Sequence, residues 1–342
     1  MAEQLTPPGP WRIAVLSGGD SDERDISLQS GEAVWQSLRA RGHDVTLIDP
    51  AGSSSWRSDV SRWDAVFLAL HGRSGEDGDI QQQLEALGVP YSGSDPLASR
   101  LAFSKSAAKE RFAACGVPTP PARLVHVDEP PARHQDAAKQ IGYPLVVKPD
   151  SSGSSLGVSL VRRPDQLHRA LRDCFARGPH GLMEQAVLGG EWTLGLLDRE
   201  PLPLIRIDTP RAFFDFTAKY EDDATVYDCE PQIPESLQRL IAATGLAAAR
   251  AVNTRGIARV DLRLDEQQRP WVLEVNTIPG FTDHSLVPKA ALRRGWSLGE
   301  LCERSLQSAI SSHRSTQHDP HNPMPQHDSR RPADLGSLRY AS

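Results

Sequence analysis

The sequence of 342 residues contains no CxxC pair, no GxGxxG fingerprint, no GxxxxGK[ST] loop and no apolar run of membrane-spanning length. Each absence removes a class of protein. Cys115, Cys174, Cys229 and Cys302 are too widely spaced to frame a small disulfide-bonded domain or to chelate zinc in pairs, so reduced, mostly buried thiols in a cytoplasmic protein are expected. Without GxGxxG a plain Rossmann-type oxidoreductase is set aside, and without GxxxxGK[ST] so is a P-loop NTPase. The opening MAEQLTPPGPW lacks the positive-then-apolar order of a secretion signal, and no membrane association is expected. A formal net charge of −6 speaks against a nucleic-acid grip built on phosphate neutralisation.

The remaining composition, 39% hydrophobic and 24% charged, is that of a soluble globular protein. At this length two or three compact lobes are expected. The first reads as alternating strands (12–16, 44–49, 64–70) and helices (27–40, 81–87), an open, mostly parallel α/β lobe ending near residue 95. The run 64–70 is apolar throughout, which marks it as an interior strand. A helix over 104–116 stops at Gly116. PARLVHV, a helix near 132–141, the two β-rich runs of PLVVKPDSSGSSLGVSLV, a helix over 164–176 and the strand GLMEQAV form a second lobe. EWTLGLLD, a polar loop near 208–225, a helix from about 235 to 253, strands 257–264 and 271–276 and helices near 284–294 and 298–312 form a third. From His313 the composition, rich in proline, histidine and charge, reads as a disordered tail.

Five constellations carry chemistry. In IARVDLRL and LEVNTIPGFTDHSLVP, Arg259 and Asp261 share one strand face, as do Glu274 and Asn276. If the strands pair, Asp261, Glu274 and Asn276 offer oxygen ligands suited to Mg²⁺ beside an arginine; either strand alone is better explained as a solvated face. Lys148 with the loop SSGSSLG (151–157) can cradle phosphate, aided by Lys105, or can be an ordinary hairpin. Ser27 suits an N-cap, while Glu23 in the preceding turn can meet a ligand ammonium group. His71 follows a buried strand, and Lys219 and Tyr220 lie in a polar loop able to close over a site. Each of these three also has a plain structural explanation.

In this order, the strings SGGDSDERDISLQSG, LALHGRSGEDGDIQ, LVVKPDSSGSSLGVS, FFDFTAKY, ARVDLRL and LEVNTIPGFTDHSLVP resemble the D-alanine–D-alanine ligases of the ATP-grasp superfamily, from residue 12 to about 312. The resemblance implies an N-terminal α/β pre-ATP-grasp domain (1–97), a small ATP-grasp lobe (98–187), a C-terminal ATP-grasp lobe (188–312) and a tail (313–342). It implies ATP and D-alanine as substrates, a homodimer, and two Mg²⁺ ions (Mn²⁺ a possible substitute) on Asp261, Glu274 and Asn276. Lys105, Lys148, Ser154 and Ser155 match phosphate contacts, with Lys219 beside the nucleotide; Glu184 and Glu191 match adenine-proximal and ribose carboxylates. Glu23, Ser154 and Tyr220 match a hydrogen-bonded trio. Arg259 and the Gly280 N–H match an oxyanion-binding pair, and Ser285 with Lys219 matches the second substrate's carboxylate site. His71 and Leu286 complete the implied substrate contacts. Gln185 replaces a common lysine, and Ser151-Ser152 a commoner charged pair. Tyr220 favours an amine nucleophile over D-lactate. Makers of D-Ala–D-Lac or D-Ala–D-Ser, and a nucleotide-binding regulator with a dead site, are the competing readings.

Overall fold

The computed structural model describes residues 9–52, 55–209 and 225–317. Three parallel strands open the fold, ordered Asp44–Ile48, Arg12–Leu16, Ala65–Leu68. All four residues of Ala65–Leu68 are buried. That strand is flanked on its far side by a parallel bridge from Val66 to Tyr91, which explains its wholly apolar run.

The first helix is Arg24–Ala40, three residues longer than the apolar pattern indicates. Ser27 therefore lies inside the helix and does not cap it. Its hydroxyl instead accepts from Gly18 N and donates to Ala69 O, each at 2.8 Å, tying together the ends of two strands.

A helix over Pro96–Phe103 precedes Lys105–Ala114, where the sequence suggested only the second. Asp95 accepts from Ala98 N at 2.8 Å and Pro96 occupies the first turn, an Asp-Pro start signal that was there to be read. The second sheet is antiparallel, ordered Ala122–His126, His180–Gln185, Leu145–Pro149, Ser159–Val161. With helices Pro131–Ile141 and Leu167–Phe175 it encloses its own core around Leu145, Val147, Val161 and Met183.

The third sheet runs Val226–Asp228, Ile205–Asp208, Glu191–Leu197, Ile257–Leu264, Pro270–Asn276, with Glu200–Pro201 paired to Glu191–Leu197. The short strands flanking the polar loop were not legible beforehand; the loop itself, 210–224, lies outside the described residues. Helix Glu235–Ala251 packs on the last two strands.

Leu286–Arg293 and Leu298–Gln317 follow. The last helix runs past 312 because neither glycine nor proline intervenes before Pro320; the rest of the expected tail, 318–342, lies outside the described residues. This helix returns to the beginning of the chain. Leu301, Leu306 and Ile310 share one core with Ile13, Val34 and Phe67, and Glu303 accepts from Arg41 Nε at 2.8 Å and stands 3.0 Å from His43 Nε2.

Among the cysteines, Cys174 and Cys302 are buried, but Cys115 is exposed and Cys229 half-buried, so the expectation of mostly buried thiols holds for only two. Burial pushes the Cys174 thiol up to about 12. Among the described residues no helix is long and apolar enough to cross a membrane.

Candidate active site

Strands Ile257–Leu264 and Pro270–Asn276 pair antiparallel, with Arg259 opposite Asn276 and Asp261 opposite Glu274. Val260, Leu262 and Leu264 bury the opposite face in the core beneath helix Glu235–Ala251, so the polar set faces the cleft. Arg259 donates to Asp261 through Nε (2.9 Å) and Nη2 (2.8 Å), and Thr193 Oγ1 donates to Asp261 Oδ1 at 2.7 Å. Lys105 Nζ lies 3.3 Å from Glu274 Oε2. Asn276 Oδ1 accepts from Ile278 N at 2.9 Å. This donor set is all oxygen, the kind hard divalent ions take, and an ion there would share the two carboxylates with Arg259 and Lys105. Two carboxylates and an amide leave the rest of the coordination shell to water and phosphate.

A second carboxylate is enclosed differently. Glu184 is 2% exposed; Lys148 Nζ donates to it at 2.9 Å and Lys109 pairs with its other oxygen. Burial alone would push Glu184 up, but the ammonium groups of Lys109 and Lys148 outweigh it and hold the carboxyl below the usual range. Burial pushes Lys109 down to about 8, against the pull of Glu184. Lys109 also donates to Thr119 Oγ1 at 2.6 Å and Pro120 O at 3.1 Å. Lys109 was missed in the sequence. The available signal was its spacing, four residues after Lys105, which puts both lysines on one side of helix Lys105–Ala114.

Lys148 leads into the loop 150–158. Asp150 anchors it, accepting from Ser104 Oγ at 2.9 Å and Ser106 N at 2.8 Å, while Lys105 Nζ donates to Ser152 O at 2.7 Å. Ser154 and Ser155 hold left-handed φ angles of 52° and 55°, uncommon without glycine. Ser154 Oγ donates to Glu23 Oε1, and a Cβ on Gly153 would strike the same carboxylate. Glu23 stands at the N-cap of Arg24–Ala40, yet its side chain makes no capping bond; it faces the loop.

Past Asn276 the chain turns through Ile278–Phe281. His71 Nδ1 is 3.1 Å from Ile278 O and Nε2 is 2.9 Å from Ser30 Oγ, so protein groups meet both ring nitrogens. Glu76 Oε1 is 3.7 Å from Nδ1, and burial pushes the Glu76 carboxyl up. Ser285 Oγ accepts from Thr282 N at 3.0 Å. A Cβ on Gly280 would come within 2.6 Å of that oxygen, which is why the turn needs glycine. Ser285 is the N-cap of the helix that starts at Leu286.

Two adjoining chambers result. One, about 910 Å³ and open to solvent, is lined by Glu23, His71, Ser154, Arg259, Asn276, Gly280, Ser285 and Leu286. The other, about 760 Å³ and likewise open to solvent, is lined by Lys148, Ser155, Glu184, Glu191 and Asp261. Lys105, Ser152, Gly153 and Glu274 line both. Every site candidate from the sequence that falls among the described residues thus lines a chamber. Lys219 and Tyr220 lie outside the described residues.

Residues 112–307 match the family model for the D-ala D-ala ligase C-terminus, and 54–94 match that for the N-terminus. The chain belongs to the D-alanine–D-alanine ligase family. A D-alanine–D-alanine ligase of Alkalilimnicola ehrlichii is 44% identical over 86% of this chain and 93% of the relative. One from Halorhodospira halophila is 42% identical over 87% and 96%. A crystal structure of the Bacillus anthracis D-alanine–D-alanine ligase complexed with ATP superposes with a TM-score of 0.79 at 30% identity, covering 90% of this chain and 99% of that one. The parallel sheet followed by two antiparallel sheets is the D-alanine–D-alanine ligase ATP-grasp fold. The ligase-family departure at Gln185 falls on an exposed residue ending the strand that carries Glu184.

Proposed function

We propose that the chain joins two D-alanines into D-alanyl-D-alanine at the expense of ATP, through a D-alanyl phosphate, releasing ADP and phosphate and supplying a peptidoglycan precursor. The observation that carries this reading is the pair of chambers sharing Lys105, Ser152, Gly153 and Glu274. Phosphoryl transfer needs a nucleotide and an acceptor on either side of one charged boundary, and this is such a boundary.

In this reading Glu184 and Glu191 hold the adenosine end, and Lys105, Lys148, Ser154 and Ser155 hold the phosphates, joined by Lys219. Asp261, Glu274 and Asn276 hold Mg²⁺, or Mn²⁺ in its place. Bound there, divalent ions neutralise charge on the transferred phosphoryl group. Glu23 faces the first substrate's ammonium group and orients its carboxylate, whose oxygen takes the γ-phosphoryl group as the bond to ADP breaks. The second substrate, its carboxylate held by Ser285 and Lys219 with Leu286 alongside, attacks the acyl carbon through its neutral amine. Arg259 and the Gly280 N–H receive the oxyanion, one such donor being worth about 3–4 kcal/mol; phosphate then leaves and the new amide nitrogen gives up its proton. Ser154 and Tyr220 complete the trio around Glu23. The division 1–97, 98–187 and 188–312, a homodimer and a cytoplasmic setting belong to the same proposal.

The test is phosphate release from ATP and Mg²⁺ with D-alanine, L-alanine, D-lactate or D-serine, coupled to product mass. D-alanyl-D-alanine should be the product near neutral pH. A D-lactate-containing product at that pH, or turnover with L-amino acids alone, would overturn the reading.

A further inference from the structure

We propose that Ser30 is a positioning residue of the second, bond-forming step. Its hydroxyl, together with His71, holds the Ile278–Phe281 turn so that the Gly280 N–H meets the developing oxyanion. This rests on the ligase reading above and adds to it a residue two chain segments away from the reacting atoms.

The observation is a closed ring of hydrogen bonds. Phe281 N donates to Ser30 Oγ at 3.2 Å, Ser30 Oγ lies 2.9 Å from His71 Nε2, and His71 Nδ1 lies 3.1 Å from Ile278 O. The ring grips the turn on both sides of Pro279-Gly280. Its members come from the first helix, the end of the third strand and the far end of the chain, and all are buried: Ser30, His71, Ile278 and Phe281 are each at most 5% exposed. A carbonyl oxygen only accepts, so in the neutral imidazole Nδ1 donates to Ile278 O and Nε2 accepts the Ser30 hydroxyl. Ser30 Oγ is then left to accept from Phe281 N–H, and each group's polarity fixes the next. A serine within a helix ordinarily returns its hydroxyl to the carbonyl four residues back; this one makes two tertiary bonds instead. The Phe281 ring also meets Phe67 edge-on, with centroids 5.1 Å apart, so the turn is held by packing as well as by the ring.

Removing the hydroxyl leaves Phe281 N–H and His71 Nε2 without their shared partner in a dry interior. The turn then relaxes, and a displacement of order 1 Å at a catalytic donor costs on the order of 10²-fold in rate. The cost falls on amine attack, while phosphoryl transfer, at the boundary lined by Lys105 and Glu274, is spared.

The test follows ATP carrying ¹⁸O in the β,γ-bridge in the presence of D-alanine. Reversible acyl-phosphate formation scrambles the label, and dipeptide is counted in parallel. In Ser30→Ala the ratio of scrambling to dipeptide should rise at least about tenfold over wild type, because the intermediate returns to ATP more often than it goes forward. Ser30→Thr, which keeps the hydroxyl, should bring the ratio back to near the wild-type value. An unchanged ratio in Ser30→Ala, with both rates falling together, would show a merely structural role and overturn the inference; so would a ratio in Ser30→Thr as high as in Ser30→Ala. Absence of dipeptide in the wild-type enzyme would instead sink the ligase reading itself.

Discussion

The nucleotide chamber has two acidic walls built on opposite plans. On one, Glu184 is sealed from solvent and neutralised by two lysines of its own chain. On the other, Asp261 and Glu274 face the cleft, Glu274 with a side chain 28% exposed, and meet Arg259 and Lys105, side chains that the reaction itself employs. A carboxylate that keeps a dedicated, buried partner, as Glu184 keeps Lys109 even while Lys148 serves the phosphates, holds shape. One whose partners have other work is available for a ligand's charge. The first wall should therefore answer mainly in stability and the second mainly in turnover.

The sharpest way to break that contrast is Glu274→Gln. Turnover should fall by about 10³-fold in phosphate release, while ATP affinity by calorimetry and the urea midpoint barely move. Full activity would remove the metal assignment. Next comes Glu184→Gln, which strands Lys109 and Lys148 in a dry interior. It should cost about 3–5 kcal/mol in urea unfolding, far more than any change that Glu274→Gln makes there; equal costs would erase the distinction between the walls. The smallest effect is in pH. Lys109 holds its proton only to about 8 in the folded chain but to about 10.5 when unfolded, so between these values the unfolded state binds more protons and stability rises with pH. Relative to Lys109→Met, wild-type unfolding free energy should gain about 2 kcal/mol from pH 8 to 10. A flat difference would place the lysine in a wetter setting than the structure gives it.

The legible parts of the molecule are those whose signal is local. Val260, Leu262 and Leu264 alternating with Arg259 and Asp261 announced a two-faced strand, and the matching alternation around Glu274 announced its partner. Other features depend on meetings that no period encodes. Glu23 and Ser154 are 131 residues apart, and His71 and Ile278 are 207 apart. Only the ordered set of six family strings pointed to the first meeting, and nothing pointed to the second. Ser27 shows a local signal overruled: a good capping residue was taken up by Gly18 and Ala69 from two neighbouring strands. Lys109 shows one overlooked, since a buried lysine reads as a surface lysine until its carboxylate is known.

The last helix lies in the same core as the first strand, and this has a consequence for how the protein is made. Domains commonly fold as they leave the ribosome, beginning with the N-terminal one. Here Ile13 and Val34 lack Leu301, Leu306 and Ile310 until all the sequence between them has been synthesised. The first sheet to be translated should thus be among the last to reach its final stability, with its apolar face uncovered while the middle of the polypeptide is still emerging.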